Sequence, residues 1–415
     1  MTTQVVTFGC RLNAYESEVI RENAQKAGLK NAIVFNTCAV TAEAERQARQ
    51  AIRKYRRENP LAKIIVTGCG AQINPASFSQ MSEVDQVLGN MEKLESKYFM
   101  PHEEHARVIV NDIMSVRETA EHLISSFDGR SRAFIQVQNG CNHRCTFCTI
   151  PFGRGNSRSV PFGIIVDQAR LLLEKGFQEI VLTGVDITAY GEDLPGKPTL
   201  GQIVKRLLAQ IPELPRLRLS SLDSVEVDAD ILHVFENEPR LMPHFHLSLQ
   251  SGDDMILKRM KRRHLRQDAI EICQIIRSLR PDVIFGADII AGFPTETDEM
   301  FENTLRIIDE CNLTFLHVFP YSPRKDTPAA RMPQVKKAII KERAARLREV
   351  GQRKLHKTLT QFIGREIGVL LETENQGHSE HFLKVILPTF HTPGSLLKAQ
   401  VTDVKNDFLE ARVIQ

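Results

Sequence analysis

Ala133-Phe134-Ile135-Gln136-Val137-Gln138-Asn139-Gly140-Cys141-Asn142-His143-Arg144-Cys145-Thr146-Phe147-Cys148 sets a short apolar run directly before three cysteines. The run, read as a strand over Ala133–Gln138, has the form of a buried parallel strand. Thiolates are soft ligands, and three so close in one loop can all turn inward on a single cluster. Structural zinc is the competing reading. It wants four closed ligands, and no matching Cys-x-x-Cys pair stands elsewhere in the chain. His143 lies inside the short loop and would strain it as a fourth ligand. Spacing and position together favour an iron–sulfur site with three protein thiolates and one iron left open for chemistry.

Outward from this loop, β-rich runs alternate with helical patterns. Further strands are expected at Glu179–Thr183, Arg216–Ser220, His244–Leu249, Ile284–Ile289 and Phe315–Phe319, with helices over Phe162–Gly176, Gln267–Arg280 and Thr297–Cys311. Six βα units predict a partial barrel over residues 128–332, its site at the strand carboxyl ends. Residues 1–105 hold a second α/β series. Gln4–Phe8, Ala32–Phe35 and Lys63–Thr67 read as parallel strands, Ala14–Gly28 and Thr41–Glu58 as helices, the latter capped by Thr41 and stopped by Pro60. This is the pattern of a small doubly wound α/β domain. A polar stretch from Pro101 to Arg130 joins the two. A basic connecting helix is expected over 333–351. Residues 352–415 then carry short strands at Ile367–Glu372, Phe382–Leu387, Leu397–Thr402 and Leu409–Val413, with turns at Asn375-Gln-Gly377 and Pro393-Gly394, a small all-β barrel.

At 415 residues, 42% apolar and 25% charged, the chain reads as a globular protein of about two or three domains. No run of eighteen apolar residues predicts a membrane span, and the amino terminus lacks the layout of a signal peptide. A cytoplasmic protein is expected, in whose reducing surroundings eight cysteines serve metals or catalysis more readily than disulfides. Net charge is only +3, but it is unevenly spread. Pro333–Lys357 holds nine Lys/Arg against two acids, and Lys258–Arg266 holds six with none. One such run alone is a solvated helix face; two in one chain suit a phosphate backbone.

Cys10, Cys38 and Cys69 each follow directly on one of the first three strands. Strand carboxyl ends line the ligand crevice of a parallel sheet, so three thiols would converge there from separate loops. Isolated buried cysteines are the bland alternative. Cys273 and Cys311 sit in helical patterns and read as core residues.

The Cys141–Cys148 loop matches the Cys-x3-Cys-x-aromatic-Cys signature of the radical S-adenosylmethionine (SAM) superfamily, with Phe147 as the aromatic. Phe-Gly-Cys10-Arg-Leu-Asn13-Ala-Tyr-Glu-Ser17, Asn36-Thr-Cys38-Ala-Val-Thr41 and Thr67-Gly-Cys69 resemble the amino-terminal domain of the methylthiotransferases. By that resemblance the chain carries two [4Fe–4S] clusters: one on Cys141, Cys145 and Cys148 whose free iron is chelated by S-adenosyl-L-methionine, and an auxiliary one on Cys10, Cys38 and Cys69. Gln138–Arg158, Thr183–Gly191 and Phe319–Pro328 look most like the branch that acts on N6-threonylcarbamoyladenosine (t6A) in tRNA, and the last barrel resembles the RNA-binding TRAM domain. One departure is Gly70, where the family pattern leads one to expect a bulkier, usually aromatic residue.

The resemblance implies methylthiolation of t6A at C2, at position 37 of the anticodon arm. One SAM methylates sulfur held at the auxiliary cluster, and a second supplies a 5′-deoxyadenosyl radical. SAM would meet Gly184, Val185 and Asp186 after the second barrel strand and, by strand-end position, Ser220 and Ser221 after the third, Gln250 and Ser251 after the fourth, and Asp288 on the fifth; a strand-end turn or helix cap is an equal reading for any one of the serines. Arg154 and Arg158, just past the cluster loop, would contact SAM or tRNA phosphate, and Lys258, Lys261, Arg262, Lys336, Lys337 and Lys341 would contact RNA. The C-terminal barrel is itself near neutral, with five basic residues against seven acids over Gln361–Gln415, so only the resemblance assigns it to RNA. A flavodoxin or ferredoxin system is the expected electron donor; the sequence names no sulfur source. Two rivals share the six cysteines, methylthiolation of N6-isopentenyladenosine and of a ribosomal-protein aspartate. A non-catalytic iron–sulfur RNA-binding regulator is a rival of another class, but would leave a six-unit barrel unexplained.

Overall fold

The computed structural model describes residues 3–101, 105–117 and 131–414. Much of the polar connection expected between Pro101 and Arg130, and the start of the 128–332 range, therefore lies outside the described residues.

Five parallel strands make the first sheet: β1 (Gln4–Thr7), β2 (Ala32–Thr37), β3 (Lys63–Gly68), β4 (Gln86–Leu88) and β5 (Val108–Ile109), adjacent in that order. The last two are too short to announce themselves by alternation. Successive side chains of a strand point to opposite faces, and each face has its own helix. Ile20 and Ala24 of α1 (Arg11–Lys26) pack with Val34 and Ile65, while Ile52 of α2 (Ala42–Glu58) packs with Ile33, Phe35 and Ile64. The connections after β1 and β2 thus leave to opposite faces, which opens a crevice at the strand carboxyl ends. Thr41 caps α2, its hydroxyl accepting from the Ala44 amide at 3.1 Å, and the helix stops before Pro60.

α1 is shared between domains. Its other side, with Leu12, Tyr15 and Val19, joins the core of the second domain beside Phe134. There six parallel strands run β6 (Arg132–Gln136), β7 (Glu179–Thr183), β8 (Arg216–Leu219), β9 (His244–Gln250), β10 (Ile284–Ala291) and β11 (Leu313–Pro320). β8 resumes at Ser221–Leu222 after Ser220 and there pairs with β9, linking a three-stranded sheet to a four-stranded one. No pairing joins β11 back to β6 among the described residues, so the barrel is a partial one, as expected.

The connecting helix is longer than its sequence suggested. It spans Lys337–Thr360 rather than ending near 351, so the final domain begins later than 352. Glu366–Leu371, Gln376–Ser379, Lys384–Ile386, Leu396–Lys405 and Phe408–Val413 then close a barrel. The chain expected to turn at Asn375–Gly377 instead enters a strand at Gln376, which pairs with Lys384–Ile386.

This small barrel covers the amino ends of the large one's strands. Arg132 pairs with Glu372, Arg216 donates to the Gly368 carbonyl at 2.8 Å, Arg218 to that of Glu380 at 3.1 Å, and His381 meets Asp282 at 3.0 Å. Phe382 is the plug. Its ring lies among Arg132 (4.7 Å), Arg218 (5.0 Å), His378 (4.8 Å) and His244 (5.2 Å), at a φ of 67° that a bulky residue adopts only when tertiary packing imposes it. Among the described residues no helix is long and apolar enough to cross a membrane.

Candidate iron–sulfur and substrate site

The loop after β6 is pinned from three sides. The Cys141 amide donates to the Gly155 carbonyl at 3.1 Å, the Thr146 amide to that of Met260 at 3.0 Å, and the Ala329 amide to that of Thr146 at 2.9 Å. Phe147 packs edge-on against Phe293, 6.3 Å between centroids. Gln138, given no role of its own in the sequence, ties the loop to the next strand end: its amide oxygen accepts from Val185 and Asp186 at 3.0 and 2.9 Å, and its nitrogen donates to Gly140 at 2.7 Å. Asp186 comes within 3.7 Å of the Cys141 sulfur. His143 turns to Asp186 (2.9 Å), a partner outside its own loop.

The other strand-end residues divide. Ser220 and Ser221 stand at the kink of β8. Gln250 ends β9 with φ 70°. Ser251 is committed elsewhere, against Thr304 (3.3 Å) and the Asp253 amide (3.2 Å); as a loop brace it is withdrawn from the SAM-facing set. Asp288 is held by His246 at 3.0 Å and His317 at 3.2 Å; burial works against its charge, but the two rings outweigh that and keep its pKa below the usual range.

Cys38 lies within electrostatic reach of both Cys10 and Cys69. A Cβ on Gly9 (φ 97°) would meet the Cys38 sulfur at 2.9 Å, so only glycine lets the first loop approach the second. Gly70 has a similar reason. A Cβ there would meet Thr37 Oγ1 at 2.9 Å, and that hydroxyl is already bonded to the Thr67 carbonyl and the Ala71 amide. The barrel supplies the fourth wall through Ile150–Arg154, the short helix after Cys148. Asn90 reaches both the Cys69 sulfur (3.7 Å) and the Gly153 carbonyl (2.5 Å), and Thr149 donates to Ala39 at 3.5 Å. The two thiol sets therefore face each other across one short segment. Burial pushes the Cys38 thiol up to about 11 and Cys148 to about 12, and raises Cys141 further with help from Asp186. Such thiols stay protonated at neutral pH unless a bound cation draws the protons off, and the donor sets fit soft metal clusters.

The radical SAM superfamily model matches residues 135–308, and the model described as uncharacterized protein family UPF0004 matches residues 2–89. The threonylcarbamoyladenosine tRNA methylthiotransferase MtaB of Rickettsia prowazekii is 57% identical over 411 residues, covering 99% of this chain and 97% of its own. This chain belongs to the radical SAM tRNA methylthiotransferases. The MtaB of Aquifex aeolicus is 35% identical, covering 95% and 98%, and the tRNA-2-methylthio-N(6)-dimethylallyladenosine synthase of Cereibacter sphaeroides 33%, covering 96% and 95%. The solved radical SAM methyltransferase TsrM from Kitasatospora setae shares the fold, with a TM-score of 0.53 at 14% identity over 75% of this chain and 66% of that one.

As a methylthiotransferase it uses two [4Fe–4S] clusters and S-adenosyl-L-methionine. In this methylthiotransferase three arginines expected at RNA lie inward instead. Arg154, only 3% exposed, bridges the domains through Glu16 (2.8 Å) and Asn13 (2.5 Å). Arg158 is equally buried and donates to the carbonyls of Arg154 and Asn156. Arg262 turns in because Lys261 adopts φ 64° and reverses the chain; it meets Asp223 and the Ser248 carbonyl, each at 2.7 Å, and lies 3.8 Å from the Cys145 sulfur. That places it at the cluster loop.

The lysines stay at the surface. Lys258, Lys261, Lys336, Lys337 and Lys341 are exposed and make no ion pair among the described residues. Much of the remaining positive charge is spent on partners: Arg343 on Glu296 and Asp298, Arg346 on Glu302, Arg266 on Glu310. Both basic runs meet at one rim. Arg259 donates to Thr295 Oγ1 at 2.7 Å, and the Thr295 amide to the Pro333 carbonyl at 3.1 Å, beside the loop that Met260 holds.

Proposed function

We propose that this enzyme replaces the C2 hydrogen of N6-threonylcarbamoyladenosine, 3′ of a tRNA anticodon, by a methylthio group. The observation that carries this is the convergence of two cysteine triads on one segment, in a chain that matches the Rickettsia MtaB from end to end. That C–H bond offers no acid–base route, so a radical must take the hydrogen, and water must be kept out while it does. When bound, the cluster on Cys141, Cys145 and Cys148 supplies the electron that cleaves SAM, and the one on Cys10, Cys38 and Cys69 carries the sulfur. In the balance, one SAM leaves as S-adenosylhomocysteine after giving its methyl group. The other leaves as methionine and 5′-deoxyadenosine, whose 5′-methyl group carries the former C2 hydrogen. One electron enters at SAM cleavage and one returns as the carbon radical joins sulfide-level sulfur. A flavodoxin or ferredoxin system is the proposed donor.

We assign residues 1–105 to the auxiliary cluster, 128–332 to the SAM core, and the barrel after Thr360 to a TRAM-like role. Asp186, Gln250 and Arg262 are the proposed polar contacts of SAM beside Gly184 and Val185, with Phe147 packing under the loop. Lys258, Lys261, Lys336, Lys337 and Lys341 are the proposed phosphate contacts, which set the register of the anticodon arm. Mass spectrometry of tRNA nucleosides from cells lacking the gene tests the reading. Loss of 2-methylthio-t6A is expected; its retention without a redundant enzyme, or loss of the isopentenyl derivative instead, refutes it.

A further inference from the structure

Arg11 stands one residue after Cys10 and opens α1. Its side chain leaves the first domain and enters the large barrel, where its guanidinium carbon lies 5.6 Å from the Phe382 ring. The charged groups that face it are Arg132, Arg218, Glu179 and Asp288, with His244 nearby. The others are committed: Arg132 to Glu372, Arg218 to Glu179 at 2.8 Å, Asp288 to its two histidines. Arg11 makes no hydrogen bond or ion pair among the described residues. Its guanidinium shares this space with the like charges of Arg132 and Arg218, while the acids there are already bonded to other residues. A cation in such a place is costly until an anion arrives.

The proposed substrate brings one. The threonylcarbamoyl group carries a free carboxylate, whereas an isopentenyl group on the same nitrogen carries no charge. We propose that Arg11 binds the carboxylate of the N6 substituent and is the residue that makes the enzyme specific for an acidic one. This rests on the t6A reading above. A planar guanidinium matches a carboxylate through two parallel hydrogen bonds. His317, 57% exposed, spends Nδ1 on Asp288 and leaves Nε2 for the substituent's hydroxyl. The two competing anionic groups are proposed elsewhere: the carboxylate of SAM at the strand carboxyl ends, and RNA phosphate at the outer lysines. Arg11 is inside, toward the floor.

The test uses full-length enzyme with both clusters reconstituted, and anticodon stem-loops bearing t6A or its methyl ester. Affinity is read by fluorescence anisotropy and methylthiolation by nucleoside mass spectrometry. Wild type should prefer the free carboxylate by roughly ten- to a hundredfold. Arg11→Met should bring that ratio close to one, and Arg11→Lys should keep part of it. The ratio is internal to each preparation, so incomplete folding does not mimic the result. Arg11→Met retaining the wild-type ratio, or weakening both ligands equally, overturns the assignment. A wild type that modifies an isopentenyl stem-loop and not t6A overturns the substrate reading itself, and the assignment with it.

Discussion

Glu16 shows how one residue holds two domains and a cluster site in place. It is 1% exposed, with Lys93 at 2.7 Å and Arg154 at 2.8 Å. Burial disfavours its charge, but Arg154 and then Lys93 outweigh it, and the carboxyl is held down to about 2 from an ordinary 4.5. A carboxylate whose folded pKa is depressed stabilises the fold fully above its unfolded value and loses that contribution as pH falls toward the folded one. The window here runs from about pH 4.5 down to about 2. Glu16→Gln would strand two buried cations, which commonly costs about 3–5 kcal/mol. Urea unfolding at pH 7 should show that loss, and the variant should lack the wild type's extra acid sensitivity below about pH 4.5. A loss under about 1 kcal/mol would count against the network.

At the scale of elements, the connecting helix Lys337–Thr360 shows how tertiary pairing sorts a basic run. Arg343 points inward, paired with Glu296 at 2.7 Å, and fixes the helix so that Ala344 and Leu347 face the barrel. The lysines at its start are left to solvent. Phosphate contacts release counter-ions, so each one lost lowers the log–log salt slope by about 0.9. Reversing Lys336, Lys337 and Lys341 to Glu should weaken tRNA binding and flatten the slope by roughly 3, read by filter binding across salt concentrations. An unchanged slope would move the anticodon arm off this rim.

Across the whole molecule, three domains share two seams. α1 serves both the first sheet and the large barrel, and the C-terminal barrel closes the large barrel's floor through Phe382. That barrel is therefore as much part of the enzyme body as an RNA module. Removing it would uncover Arg132, Arg216, Arg218 and Glu179 together, so loss of tRNA affinity on truncation would not by itself assign RNA binding to it. Phe382→Ala should cost about 3 kcal/mol in urea unfolding. It should also lower SAM cleavage, measured as 5′-deoxyadenosine, by admitting water from below. Wild-type stability in the variant would mean that the floor is held by the ion pairs alone.

What the sequence determined by itself is local chemistry. Six cysteines at short or strand-end spacings, the βα alternation and the Thr41 cap depend on residues close in the chain, and the structure places them as read. What only tertiary structure decided is the fate of charge and the ends of weak elements. Arg154, Arg158 and Arg262 look like Lys336 or Lys341 in sequence. They are withdrawn from solvent because Glu16, Asp223 and the carbonyls they need lie on other elements or across a reversed turn. Strands as short as Gln86–Leu88 and Val108–Ile109 exist only because a neighbour supplies their hydrogen bonds. Arg11 is the sharpest case: beside Cys10 it is one more basic residue, and only the folded barrel sets it by Phe382, with no hydrogen bond or ion pair among the described residues. A charge's role is set by which partners fold against it, and that is a long-range property no local spacing records.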